Sequence, residues 1–376
     1  MGRHDDYYYA DGYGSREGEG HRPLWLTIVD LIMIVATALL AVGLIVAFVT
    51  PYIDPSTLGS LTIIGLFAPL LYVAVLAAML FWLVRRRWII AAVLAVLVVI
   101  GAFDVPRFYH IGFKRHYEQP ENRRAFTLMS YNVRGFFFDE YTADARRYVD
   151  FFSSIEMPDV VCLQEFNSSA PNAEAVDSLF EGYDKRDAVE FGNVLVRTYS
   201  RYPIVAHDDI SGQSRGTSLW CDIVVRDDTV RIFNNHLYSM HISADDSRDI
   251  AQGKIFFDDD KMRSIVTRIR DNSSIRARHV DTLTQVIAST RSAKIVCGDF
   301  NDTPMSYVYR RLRSGMNDTF VEKGRGYGYT FLPMHKLLRI DYILSSPDIE
   351  TESFSSIEDC RLSDHLPIVA RMHRIK

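Results

Sequence analysis

Residues 293–304 read AKIVCGDFNDTP: a short apolar run with β-branched residues stops at Gly298 and breaks into Asp299, Asn301 and Asp302. A run of this length and composition predicts a buried strand that ends in a polar turn. The same shape recurs along the C-terminal two thirds of the chain, most clearly in FTLMSYN, DVVCLQE, GNVLVR, SLWCDIVV, VRIFNNHL, RIDYILS and HLPIVARM. Between some of these runs lie helical patterns, at Ala143 to Ile155 and Arg278 to Thr290, with apolar residues three and four apart. Many strands with few helices predict the α/β class, as a two-sheet β-sandwich flanked by helices.

Several of these strands end in a residue able to bind metal or phosphate: Asn132, Glu165, His236, Asp299 with Asn301, Asp341, and Asp364 with His365. Taken singly, each reads as a turn residue. Their recurrence at strand ends predicts one cleft along a sheet edge. Carboxylates beside an Asn amide are hard oxygen donors, suited to Mg²⁺ or Mn²⁺ rather than to zinc. A His paired with an Asp suits acid–base work or charge stabilisation. The chain contains no GxSxG elbow, no GxxxxGK[ST] loop and no GxGxxG turn, which sets aside serine hydrolase, NTPase and dinucleotide-binding readings. A hard cation beside His and Asp fits hydrolysis of a phosphate ester.

The ordered series SYNVRG, CLQEF, NNHL, GDFNDTP, RIDYIL and SDHLPI, from about Phe126 to Met372, resembles the endonuclease/exonuclease/phosphatase superfamily, with its deoxyribonuclease-like fold. The resemblance implies a four-layer α/β/β/α domain and a phosphodiesterase or phosphomonoesterase acting by metal-assisted attack of water. It implies that Glu165 is the principal metal ligand, with Asn132 beside it and Asp364 completing the site. Asp299 then positions or deprotonates the water, and Asn301 helps to hold the phosphate. His365 contacts the scissile phosphate with Asp341 orienting its ring, and His236 is the second active-site histidine. Asn193 and Arg215 are looser matches: a structural turn or substrate contact, and a phosphate-binding arginine.

The first 103 residues are of another kind. Residues 1–23 form a polar, Gly- and Tyr-rich tail expected to be disordered. Apolar runs follow at about 24–49, 58–84 and 88–105, nearly free of charge, and predict three transmembrane helices; core helices would carry a polar face. Arg85, Arg86 and Arg87 separate the second and third runs, whereas residues 50–57 carry no Lys or Arg. By the positive-inside rule, the catalytic domain lies on the non-cytoplasmic face, although Arg107, Lys114, Arg115, Arg123 and Arg124 pull the other way. Residues 104–124 read as a linker and 125–376 as the hydrolase domain.

The formal net charge of −5 shows no basic footprint for strong non-specific nucleic-acid binding, and mean hydropathy of −0.02 averages two unlike segments. Four scattered cysteines make no disulfide framework. Cys162 and Cys297 read as buried thiols, while Cys221 and Cys360 are able to pair in an oxidising compartment. Residues 239–275 form an apparent insertion with acidic (Asp258, Asp259, Asp260) and basic (Arg263, Arg268, Arg270) clusters, read as a solvated helix pair, a lid or a lipid contact. The substrate classes left open are nucleic acid, phospholipid headgroup and phosphosugar. The competing reading is a catalytically silent, membrane-tethered binding module with the same fold.

Overall fold

The structure is a computed structural model that describes residues 23–112, 125–137, 142–210, 216–242 and 244–375. The expected disordered tail up to residue 22, the expected linker from 113 to 124, and Arg215 lie outside the described residues.

Helix α1 (Leu24–Val49) runs on through a 3₁₀ turn to Tyr52, giving 29 residues that include an 18-residue stretch of mean hydropathy 2.9. At 1.5 Å per residue this is roughly 40 Å, ample for a bilayer core. The second apolar run is broken. Short helical pieces at Pro55–Leu58, Gly59–Leu61 and Thr62–Leu66 precede α2 (Ala68–Val84), and the chain bends by 56° at Phe67. Helix α3 (Trp88–Ala102) has 15 residues, short of the roughly 20 that cross a bilayer. The expectation of three spans is therefore corrected: among the described residues one helix is long and apolar enough, or two if the bent pair counts as one.

The break has a packing cause. A Cβ on Gly65 would lie 2.6 Å from the carbonyl oxygen of Met305, and one on Gly59 would lie 2.8 Å from Arg270 Cγ. Residues 55–66 thus serve as a docking surface for the following domain, and Pro69, which lacks an N–H, restarts the helix. The three long helices bury Leu44, Val75, Ala78, Trp82, Ala91 and Leu94 against one another. Trp82 Nε1 donates to Thr37 Oγ1 at 2.8 Å, and Asp30 pairs with Arg85 at 2.7 Å, which satisfies the polar groups in this apolar bundle.

The second body is a sandwich. Its strands are β1 (Phe126–Asn132), β2 (Val160–Asn167), β3 (Asp184–Phe191), β4 (Val194–Ser200), β5 (Ile204–Asp209), β6 (Thr217–Val225), β7 (Asp228–His236), β8 (Ala293–Asp299), β9 (Asp341–Ser345), β10 (Ile349–Ser356) and β11 (Ile368–Arg374). One sheet has the order β10-β11-β1-β2-β4-β3; the other places Asn317–Asp318 beside β9-β8-β7-β6-β5. Strand β6 shows why the sheets face each other. Leu219, Cys221, Ile223 and Val225 are buried, alternating with less buried Trp220, Asp222 and Val224. They meet Leu128, Val160, Val196 and Ile368 of the facing sheet in a shared core, each large side chain worth about 1.5–3 kcal/mol when fully buried.

Each sheet carries one parallel pair, β1 with β2 and β7 with β8. A parallel pair needs a crossover. Helix α4 (Arg146–Ser154) lies in the first crossover and packs, with α5 (Ala173–Leu179), on the outer face of that sheet through Tyr148, Phe152 and Val176. Helix α6 (Asp259–Ser289) lies in the second crossover and covers the other sheet through Val280, Leu283 and Ile287, together with Val308 and Leu312 of α7 (Tyr307–Arg313). Two sheets flanked by helices is the expected architecture.

Three expectations change in detail. The helix expected from Arg278 begins 19 residues earlier, where the side chain of Asp258 accepts from Lys261 N at 2.9 Å as an N-cap. The 239–275 insertion is the first half of that helix plus Ala244–Ala251, and it faces the N-terminal segment: Ile265 and Ile269 cluster with Ile63, and Ser274 Oγ donates to Pro55 O at 2.9 Å. Within the segment read as a linker, Arg107 O accepts from Arg339 Nη1 at 2.9 Å, Phe108 O accepts from Gly328 N at 2.8 Å, and Tyr109–His110 pairs with Gly326–Tyr327. All four cysteines are free and buried, with Cys221 between the sheets and Cys360 in the layer under α4.

Candidate active site

Strands of a parallel pair point the same way, so their C-terminal ends fall on one edge. That edge carries Asn132, Glu165, His236 and Asp299. The register sets the neighbours of Asp299: His236 lies opposite it on parallel β7, and Asp341 opposite it on antiparallel β9. Asp299 Oδ2 accepts from Asn132 Nδ2 at 3.1 Å and from Asn301 Nδ2 at 3.0 Å, and lies 3.6 Å from His236 Nε2 and 3.7 Å from His365 Nε2. Two sheets, two crossovers and the loop before β11 thus converge on one carboxylate.

Local backbone irregularities aim these side chains. The pairing of β2 with β4 slips between Leu163 and Phe166, and Glu165 within this bulge has a φ of +53°. A bulge re-aims a side chain that a regular strand would point elsewhere, and the left-handed backbone is strained for Glu. Asn301 has a φ of +50°, tolerable for Asn, and its N–H donates to Asp299 Oδ1 at 2.8 Å. Gly298 has a φ of +125°, and a Cβ there would lie 1.9 Å from Asn235 O, so no other residue fits before Asp299. Beneath the site, Gln164 Nε2 donates to Asn234 Oδ1 at 2.7 Å, tying the two sheets together through buried amides.

His365 and Asp341 form a dyad. Nδ1 lies 2.9 Å and 3.1 Å from the two carboxylate oxygens, which leaves Nε2 toward Asp299. Two backbone N–H groups, of Ile340 and Asp341, donate to Thr330 Oγ1 at 3.0 Å, and the Phe331 ring meets the His365 ring edge-on at 5.1 Å. Burial pulls the basicity of His365 down, but Asp341 and then Asp299 outweigh it and hold the ring cationic. Burial also opposes charge on His236, and Glu190 at 2.8 Å, with Glu165 and Asp299, overcomes it and raises the ring to about 10. Burial lifts Asp299 to about 6, with His365 working against the rise and Asp341 adding to it.

Of the expected metal ligands, Glu165 and Asn132 are brought together, with Asn132 Nδ2 donating to Glu165 Oε1 at 2.9 Å. The Asn132 oxygen accepts from Arg134 N at 2.9 Å, so the amide bridges carboxylates. Asp364 lies at the rim, 3.6 Å from Arg134 Nε. Asp299, Asp341 and His365 bring ligand atoms within 4.8 Å of one another. Because His365 already engages both oxygens of Asp341, these three act as a dyad beside a carboxylate, and the partly exposed Glu165 is the open oxygen donor. Among the described residues, the ion pairs of Glu165, Glu190, Asp299, Asp341 and Asp364 are with Arg134 and two histidines, and Arg276 acts on Asp299 from farther off. So acidic a site repels a phosphate ester unless a cation joins it, and its oxygen donors fit Mg²⁺ or Mn²⁺.

Glu190, Thr330 and Phe331 were not legible as site residues: Glu190 sits in the polar edge strand DKRDAVEF, and the other two follow no strand end. Asn193 lies in the exposed Gly192–Asn193 turn between β3 and β4, where its carbonyl accepts from Ser168 N at 2.9 Å.

The model of the Endonuclease/Exonuclease/phosphatase family matches residues 129–365, and that of a domain of unknown function (DUF8431) matches residues 30–108. No match is found among curated proteins. Among solved structures, an endonuclease/exonuclease/phosphatase from Beutenbergia cavernae is 16% identical, covering 67% of this chain and 72% of its own, with a TM-score of 0.49. The human Nocturnin catalytic domain with bound sulfate is 17% identical over 67% and 95%, at 0.48. TDP2 of D. rerio, complexed with single-strand DNA product, is 16% identical over 66% and 99%, at 0.49.

Proposed function

Because the chain belongs to the endonuclease/exonuclease/phosphatase family, we propose that it is a divalent-metal-dependent hydrolase of phosphate esters, anchored in a membrane. The observation that carries the chemistry is the convergence of Asn132, His236, Asn301 and His365 on one buried oxygen of Asp299.

Glu165 would hold the cation, with Asn132 fixing its carboxylate and Asp364 near the rim. When bound, the cation neutralises charge on the phosphoryl oxygens. Asp299, lifted to about 6 and oriented by Asn301, takes a proton from the attacking water. His365 presents Nε2 to the phosphoryl group while Asp341 holds Nδ1, and cationic His236 adds a second positive donor. Purified full-length chain in detergent should hydrolyse at least one of single- or double-stranded DNA, phospholipid and inositol phosphate with Mg²⁺ or Mn²⁺. Turnover should vanish with chelator and in Asp299→Ala; no turnover on any of these leaves the silent binding module, and equal turnover in the variant removes Asp299 from the reaction.

Support for the anchor comes from the outer faces of the bundle. Leu39 is 68%, Val73 63% and Ile89 84% exposed, a density of apolar surface that water does not favour. Anchoring falls to α1, with α2 and α3 packed beside it, and the Arg85–Arg87 turn favours a non-cytoplasmic catalytic domain. Recovery of the chain in the carbonate-soluble fraction of membranes would remove this part of the reading.

A further inference from the structure

Where α1 and α3 end against the catalytic domain lies a cavity of about 410 Å³, lined by Tyr52, Asp104, Arg107, Arg310, Arg311 and Arg313 among others. Four arginines and one acidic residue thus line it, and Asp104 feels Arg107 first and then Arg313. Two of them are engaged, Arg107 with Asp104 at 2.7 Å and Arg311 with Asp281 at 2.9 Å. Arg310 stacks over the Tyr52 ring with its guanidinium carbon 4.4 Å from the centroid. Arg313 Nε is buried and makes no hydrogen bond. Neither Arg310 nor Arg313 makes an ion pair among the described residues. A buried guanidinium nitrogen without an acceptor is costly, and Arg is suited to bidentate binding of phosphate.

A second hollow, of about 330 Å³, adjoins the first and shares Phe48, Asp104 and Met305 with it. Its other walls include Tyr72, Val73 and Leu76 of α2 and Gly101 of α3, so it runs among the apolar helices. A cationic chamber opening into an apolar hollow has the polarity of an amphiphile, head at the domain junction and tail in the bundle.

We propose that this two-part slot binds an anionic phospholipid, its phosphate among Arg107, Arg310 and Arg313 and an acyl chain along Tyr72 to Leu76. A free phosphate would use the first chamber alone and leave the adjoining apolar hollow without a role. A zwitterionic lipid would bring its own cation into a chamber already rich in positive charge. The site is separate from the Asp299 cleft and independent of hydrolysis, but it rests on the membrane placement of α1.

The test uses full-length chain in a non-ionic detergent, titrated with dioleoylphosphatidylglycerol, dioleoylphosphatidylcholine or inorganic phosphate, with thermal stability as the readout. Phosphatidylglycerol should raise the melting temperature saturably, and the other two should not. In the Arg310→Gln/Arg313→Gln double variant, about tenfold or more phosphatidylglycerol should be needed for half the shift, since two charge-assisted bonds to the phosphate are lost. Leu76→Trp, which fills the apolar hollow, should weaken the response in the same way. Equal shifts from both lipids, an equal shift from inorganic phosphate, or a double variant that titrates like the parent overturns the lipid site. Carbonate release from membranes instead overturns the anchor, so the two failures are distinguishable.

Discussion

Asp341 stands directly opposite Asp299 in the register of β8 and β9, so two buried carboxylates face one cleft with His365 spanning them. Either carboxylate alone would favour a charged imidazole, and Asp341 makes the closer contact. Asp341→Asn therefore removes the main cause of the raised His365 basicity and leaves Asp299 to oppose burial, so the ring loses its proton at lower pH. Turnover should fall by about 10²–10⁴-fold with the fold retained, in keeping with the loss of an oriented acid–base group. Kinetics alongside imidazole NMR titration check this; unchanged His365 titration would refute the dyad.

Glu165 is the open carboxylate at the bulge, one third exposed and tied, among the described residues, to Asn132 and the His236 edge. Glu165→Gln keeps the hydrogen bond from Asn132 but removes the negative charge. Half-maximal turnover should then need more than about tenfold more Mg²⁺, since a neutral amide is a far weaker ligand for a hard cation. Metal titration of both proteins reads this directly, and coincident curves would show that the cation sits elsewhere.

What the sequence revealed follows from where each element sits. Every strand read from an apolar run lies at or near the middle of a sheet, where both faces bury side chains. The edge strands β3, β5 and β10 went unread because DKRDAVEF, IVAHDD and IETESFSS carry the charges that protect an edge. Glu190 was lost with β3. Strand-end residues were legible because each borders an apolar run, Asp341 and His365 at its start. Their geometry was not: the amide of Asn132 bridging two carboxylates, and the turn of Asp364 toward Arg134, depend on backbone made far away. In the apolar segment, composition was legible but continuity was not, because Gly59 and Gly65 act through contacts with Arg270 and Met305.

Arg276 of α6 and Asp302 of the loop after β8 form a fully buried ion pair at 3.5 Å, with Arg276 Nη1 also donating to Tyr238 O at 2.9 Å. Removing one member strands a buried charge, so Asp302→Asn should cost about 3–5 kcal/mol. In that background, Arg276→Met should cost at least about 1 kcal/mol less than it does alone, because the charge it removes has already lost its partner. Denaturant unfolding of the four proteins closes the cycle; additive losses would mean that the pair does not interact.

His279 of α6 gives the fold an acid limit. Its Nε2 meets Ser218 Oγ at 3.1 Å and its Nδ1 makes no hydrogen bond; burial, followed by the positive charge of His236, lowers the ring to about 4. The native state therefore keeps this ring neutral where the unfolded chain, with an ordinary value near 6.5, binds a proton. The contribution is complete above about pH 6.5 and is lost as pH falls from there toward 4, where it reaches about 3 kcal/mol. Replacing the ring by a neutral isostere, His279→Gln, removes that proton from the balance. The variant should lose less stability than the parent between pH 6.5 and 4.5 in parallel denaturant titrations, whatever its stability at pH 7.5. Parallel declines would show that the ring charges without cost in the folded protein.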